Sequence, residues 1–154
     1  MTRWLDPAED RAWRGLRRID CTVLADIRRD LTRDAGLSDA DYEVMTNLSD
    51  APGDRLRSGR LAHEMRWSTS RLSHQLRRME ERGLVARCHD DDDGRSSTVE
   101  LTPAGRELLV ETAPKHLASV RRHLFDRLTP EQVPQLAAIV DTLLAAAGQP
   151  APEQ

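Results

Sequence analysis

Between Ser68 and Gly83 the spacing of apolar residues dictates a helix and also which side of it is buried. Leu72, Leu76 and Met79 are four and three residues apart, which is one face at 3.6 residues per turn. Ser68 stands where a helix N-cap belongs, and Gly83 supplies the left-handed stop that ends many helices. The outward positions then hold Thr69, Ser70, Arg71, Ser73, His74, Arg77 and Arg78, and no acidic residue precedes Glu80. A merely solvated face normally interleaves glutamate with lysine. This one is hydroxyl-rich and of a single charge sign.

The elements around it follow from local punctuation. Trp13, Leu16, Ile19, Val23, Leu24, Ile27 and Leu31 trace one face of a first helix, from about Pro7 to about Ala35, stopped by Gly36. Ser38 caps a second helix with Tyr42, Met45 and Leu48 inward, ended by Ala51-Pro52-Gly53. Arg55-Leu56-Arg57 is a short extended piece. Ser58 is expected to cap a third, short helix carrying Leu61, Ala62 and Met65, closed at Trp67. After the Ser68–Gly83 helix, Leu84–Cys88 and Thr98–Leu101 read as two strands joined by a polar tip with Gly94, hence a hairpin. Thr102-Pro103 opens a long helix that Pro114 should kink. Thr129-Pro130-Glu131-Gln132 reads as a capping box for a last helix carrying Leu136, Ile139, Val140, Leu143 and Leu144, up to Gly148.

Short helix, turn, second helix, glycine and hairpin make a winged helix-turn-helix. The expected class is mainly α with a small β-hairpin wing. It is expected as one domain: a winged part at 38–102 and a helical dimerisation part at 7–35 and 103–147. The helices of that second part expose more apolar face than so small a winged part can cover, which marks an interface with a second copy.

Charge is distributed unevenly. The net charge of the 154-residue chain is −3, yet residues 55–87 hold nine arginines against three acids. A basic centre in an acidic frame is the footprint of a polyanion-binding surface. In this geometry the hydroxyls and N–H groups at the start of the Ser68–Gly83 helix would hold phosphates. Arg71 or His74 would reach base edges, and Arg77, further along, would hold phosphate. The expected partner is double-stranded DNA.

The order of elements resembles the MarR family of bacterial regulators over roughly residues 10–147. The resemblance is carried by Leu61-Ala62, Leu76, Glu80, Gly83-Leu84-Val85, Asp93-Gly94-Arg95 and Val99-Glu100-Leu101-Thr102-Pro103-Ala104-Gly105. It implies a homodimeric transcriptional regulator, expected as a repressor, on a pseudo-palindromic operator. It implies further that Arg95 enters the minor groove with Asp93 orienting it. The family wing carries Asp-x-Arg-Asp-x-Arg. Here Asp90, Asp93 and Arg95 fit, while Asp92 replaces the first arginine and makes the tip acidic. A small aromatic or phenolic effector is the family's commonest theme, with Trp13, Arg17, Tyr42 and His63 as candidate lining. Cys21, one turn after Arg17 and Arg18, is the candidate redox thiol.

Other classes fit less well. No GxSxG, phosphate-cradling glycine loop or paired Cys/His spacing is present, so an enzyme is not expected. No cofactor and no metal site is expected. The acidic tip only half matches a calcium loop, and His116 and His123 lack a third ligand. No apolar run is long enough to span a membrane, and two cysteines are too few for a disulfide framework, which points to the cytoplasm. The rival readings are a winged-helix interaction module that does not bind DNA, and a thiol-based redox sensor.

Overall fold

The structure, a computed structural model, describes residues 2–89 and 97–147. In chain order the elements are α1 (Pro7–Ile19), a π-helical segment (Asp20–Leu24), α2 (Ala25–Ala35), α3 (Asp39–Ser49), β1 (Arg55–Arg57), α4 (Ser58–Glu64), α5 (Thr69–Glu81), β2 (Val85–His89), β3 (Ser97–Leu101), α6 (Pro103–His123), a 3-10 turn (Phe125–Arg127) and α7 (Gln132–Ala146). The fold is mainly helical with a small antiparallel sheet in the order β1-β3-β2. Contacts divide the chain into two units. One runs from Ile27 to Leu117, and the other combines residues up to Asp26 with those from Ala118 onward.

The Ile27–Leu117 unit is the winged part. Its core packs Val44, Met45 and Leu48 of α3, Leu61 of α4 and Leu72, Leu76 and Met79 of α5 against Leu56, Val85 and Val99 of the sheet. Burying each leucine contributes ~1.5–3 kcal/mol, so aliphatic packing stabilises a unit poor in aromatics. Ser38 starts α3 with a reciprocal capping box: its hydroxyl accepts from the Asp41 amide, and the Asp41 carboxylate accepts from the Ser38 amide. The turn between α4 and α5 places Arg66 at φ 51 and closes with the Trp67 amide donating to the Ala62 carbonyl at 2.9 Å. Gly83, at φ 71, ends α5 as expected.

β1 does more than its short sequence implies. It pairs with β3 in the register Leu56↔Val99, so the expected hairpin becomes a three-stranded sheet. The hairpin proper runs from Val85↔Leu101 to His89↔Ser97. The Ser58 hydroxyl does not cap α4. It accepts a 3.2 Å bond from the Ser97 hydroxyl, and α4 starts from Arg57 without a side-chain cap. Thr102 secures the exit from the sheet: its hydroxyl donates to the Gly83 carbonyl at 2.6 Å and accepts from the Gly105 amide at 3.0 Å.

In the other unit, α1 begins with a capping box between Asp6 and Glu9 that the sequence reading missed. The single first helix expected from Pro7 to Ala35 is instead interrupted by the π-helical segment, where the Thr22 hydroxyl donates back to the Arg18 carbonyl at 2.6 Å. α6 continues through Pro114 and ends at His123, short of Leu124 and Leu128. The capping box at Thr129 forms only by half. The Gln132 side chain accepts from the Thr129 amide at 3.0 Å, but no side chain caps α7. The Thr129 hydroxyl bonds Glu131 instead, which holds that carboxyl below its ordinary pKa. Because α7 starts at Gln132, Pro134 falls in the first turn, where its missing N–H leaves no bond unmade.

Neither α1 nor α7 buries a residue. Trp13, Leu16, Ile19, Ile139, Val140 and Leu143 are all exposed large hydrophobics.

Candidate nucleic-acid interface

α5 is the centre of the interface. Its Ser68 cap accepts from the Arg71 amide at 3.2 Å, and its inward row is Leu72, Gln75, Leu76 and Met79. At 100° per residue, the line directly opposite that row runs through Ser70, His74 and Arg77 and ends on Glu81. Thr69 and Ser73 lie on one flank of this ridge, and Arg71 and Arg78 on the other. Ser68, Thr69, Ser70, Arg71, Ser73, His74, Arg77 and Arg78 are all exposed, and the first turn contains no acid. The structure thus gathers the expected helix residues on one accessible surface, with Ser68 to Arg71 at the positive end of a 13-residue helix and Arg77 and Arg78 toward its other end.

A polar network inside the core fixes this helix. The Gln75 side-chain amide donates to the Asp41 carboxylate at 2.6 Å. The other oxygen of Asp41 accepts from the Ser38 amide at 2.9 Å and from Arg82 at 2.8 Å. Arg82 also donates to the Gly36 carbonyl at 2.9 Å, and Arg78 donates to the side-chain Oε1 of Gln75. Burial is the largest influence on Asp41 and pushes its pKa up. The Ser38 and Arg82 bonds together outweigh burial and hold the carboxyl below its ordinary value. A buried carboxylate with such donors costs little, whereas removing one donor would leave a charge uncompensated. Sequence reasoning missed Gln75. The available signal was a lone amide inside an otherwise apolar row.

The arginine excess is partly answered within the protein. Arg60 pairs with Glu64 at 2.7 Å, Arg87 with Glu80 at 2.7 Å, and Arg77 approaches Glu81 at 4.0 Å. The Arg60 and Arg77 pairs are exposed and therefore weak, whereas the Arg87–Glu80 pair is half-buried. Arg71 differs. Its guanidinium lies 4.0 Å over the Trp67 ring.

Two clefts flank α5. On the wing side, a cavity of about 350 Å³ is lined by the hydroxyls of Ser58, Thr69, Ser73 and Ser97 together with Arg87, over Leu72 and Leu76. On the α3 side, a cleft of about 470 Å³ is lined by Ala40, Trp67, Gln75, His74 and the guanidinium groups of Arg71, Arg77 and Arg78. Hydroxyls and guanidinium groups are the groups that contact a nucleic-acid backbone.

The expected wing contacts Asp93 and Arg95, with Asp90 to Asp92 and Gly94, lie outside the described residues. The expected effector residues fall in different units: Tyr42 and His63 in the winged unit, Trp13 and Arg17 in the other. The Tyr42 ring packs on His116, with centroids 4.5 Å apart, while His63, Trp13 and Arg17 are exposed. Cys21 is exposed in the π-helical segment, and its thiol donates to the Arg18 carbonyl at 3.4 Å. Among the described residues no group of three or more His, Cys, Asp or Glu is placed to hold a metal ion. No helix among them is long and apolar enough to cross a membrane.

Known proteins bear on this geometry. Residues 35–96 match the model of the MarR family. No curated protein matches the chain. Among solved structures, the chain is similar to AbsC, a MarR family transcriptional regulator from Streptomyces coelicolor. The two are 39% identical over 96% of this chain and 100% of that one, with a TM-score of 0.86. A second MarR family transcriptional regulator from Streptomyces coelicolor, solved in complex with DNA, is 37% identical over 98% of this chain and 94% of its own, with a TM-score of 0.88. A MarR family regulator from Silicibacter pomeroyi is 32% identical over 88% of each chain, with a TM-score of 0.66. Identity at this level, sustained over nearly the whole length and joined to a winged helix with a basic recognition face, has one reading: the chain belongs to the MarR family of transcriptional regulators.

Proposed function

We propose that this DNA-binding regulator works as a homodimeric repressor that reads a pseudo-palindromic operator, with α5 of each protomer in a major groove. The observation that carries this is the α5 surface: every residue from Ser68 to Arg78 outside the inward row is exposed and none is acidic, on a helix anchored by the Gln75–Asp41 bond. Hydroxyls at its start suit phosphates, and His74 or an arginine suits base edges. The similar Streptomyces coelicolor regulator solved with DNA supports the same partner.

Dimerisation is supported by the apolar residues that α1 and α7 leave exposed, since helices that bury nothing within their own chain need a partner. A two-fold dimer places its recognition helices about one turn of DNA apart, and the operator mirrors that symmetry. In the same reading Arg95 enters a minor groove at the wing, oriented by Asp93, and a small aromatic or phenolic effector releases the DNA. The family resemblance supports both. Selection of bound duplexes from a random-sequence pool by the full chain tests the reading. It expects a two-fold symmetric motif, and a chain that enriches nothing would favour an interaction module instead.

A further inference from the structure

We infer that the cleft on the α3 flank of α5 seats a phosphate of the DNA backbone, with Arg71 and Arg78 as its ligands and Trp67 as the residue that positions Arg71. This rests on the DNA-binding reading and divides the labour within it. Ser70, His74 and Arg77, on the ridge opposite the buried row, are left to face base edges.

Arg71 and Arg78 sit seven residues apart, so they stack on the same flank of α5, about a quarter turn away from the outer ridge. Both line the α3-side cleft with Ala40, Trp67 and Gln75, while His74 and Arg77 border it from the ridge. A guanidinium laid back over Trp67, four residues earlier, cannot at the same time extend from the ridge to a base edge. Spacing along the sequence pointed to Arg71 for bases, and its place over Trp67 points to phosphate instead.

Pre-organisation comes next. The contact with the Trp67 ring restrains the Arg71 guanidinium at 4.0 Å, and a guanidinium's planar fork of N–H donors suits a pair of phosphate oxygens. Arg78 is tethered on one edge by the side-chain Oε1 of Gln75, and Gln75 is held by buried Asp41. Each side chain has therefore lost much of its rotamer freedom before DNA arrives. Among the described residues no carboxylate lines the cleft, and Glu43, whose carboxyl feels the Arg71 charge, lies outside that lining.

The test uses the full chain, a duplex enriched by it from a random pool, and an unrelated duplex of equal length. Arg71→Ala should weaken both duplexes alike, by about tenfold, the worth of one charge-assisted contact. The preference between them should stay unchanged, and the salt slope should fall by about one. Trp67→Ala should reproduce that loss, Trp67→Phe should restore most of it, and adding Trp67→Ala to Arg71→Ala should cost nothing more. Ethylation of one backbone phosphate should impair the wild type but leave Arg71→Ala indifferent. Arg77→Ala should instead erode the preference. If Trp67→Ala fails to fold, Arg71→Ala and Trp67→Phe decide alone. A collapse of sequence preference in Arg71→Ala at an unchanged salt slope would overturn the cleft assignment and leave DNA binding intact. A wild-type chain that binds neither duplex would remove both.

Discussion

The Gln75 amide and the Asp41 carboxylate meet at 2.6 Å inside the core, joining the middle of the recognition helix to the first turn of α3. The helix that faces outward is thus aimed by a contact that faces inward. Asp41→Asn keeps the shape and removes the charge that Ser38, Gln75 and Arg82 satisfy. It should destabilise the chain by ~1.5–3 kcal/mol at neutral pH. The Asp41 carboxyl is held below its ordinary value in the fold, so the stability it contributes is present above about pH 4 and is lost as pH falls through the folded value. Urea denaturation at pH 7 and pH 3.5 should therefore show the gap between wild type and Asp41→Asn narrowing in acid. A gap that is constant with pH would mean the charge is not what the network stabilises.

A second prediction comes from two glycines of opposite kind. A Cβ at Gly105 would lie 2.1 Å from the Leu84 carbonyl oxygen, a backbone atom that cannot move aside cheaply. Gly105→Ala should cost at least ~1–3 kcal/mol and lower Tm. Gly15, inside α1, has nothing within 4 Å of its added Cβ. Gly15→Ala should raise stability by ~0.5–1 kcal/mol through helix propensity alone. Thermal melts of the two variants should move in opposite directions.

What the sequence made legible was local. Leu72, Leu76 and Met79, between a serine cap and Gly83, define both the helix and its face because period and punctuation lie within sixteen residues. Ser38 as a cap is local in the same way. What escaped was nonlocal or masked by its neighbours. The Gln75–Asp41 and Arg82–Asp41 bonds span 34 and 41 residues. β1 has three residues, too few for alternation to reveal that Leu56 pairs with Val99. The π-helical segment inserts its wider turn among apolar residues still spaced three or four apart, so the pattern reads as unbroken helix. Trp67 reads as the end of α4, and only its position beside α5 shows it beneath Arg71. The Thr129 box failed because a competing carboxylate, Glu131, lies two residues away and takes the hydroxyl.

His116 gives a pH-dependent prediction. Its ring packs on Tyr42, and its Nδ1 is buried without a hydrogen-bond partner among the described residues. Burial lowers its pKa, with Asp39 opposing the shift. A histidine depressed in the fold binds its proton more readily when unfolded. Its neutral form stabilises fully above the ordinary value near 6.5, and that stability falls as pH drops through the window below it. Tm should decline between about pH 7 and pH 5 in the wild type. His116→Phe, which keeps a ring against Tyr42, should remove this part of the decline. Parallel Tm profiles for the two proteins would show that His116 does not titrate in this window.

The dimer is tested on α7. Ile139 and Leu143 are 59% and 57% exposed in the single chain, so charges there cost the protomer little. Ile139→Glu with Leu143→Glu should leave helical circular dichroism intact, shift the sedimenting species to monomer, and weaken DNA binding because one half-site is lost. A double variant that sedimented like wild type would place the interface elsewhere.

The most direct measurement of the central claim is binding of the unmodified chain to duplexes selected from a random pool, titrated at increasing salt. The account predicts enrichment of a two-fold symmetric motif with half-sites about 10 base pairs apart. It also predicts an affinity that falls linearly in log–log form as salt rises. A chain that enriched no motif and bound no duplex even at low salt would contradict it.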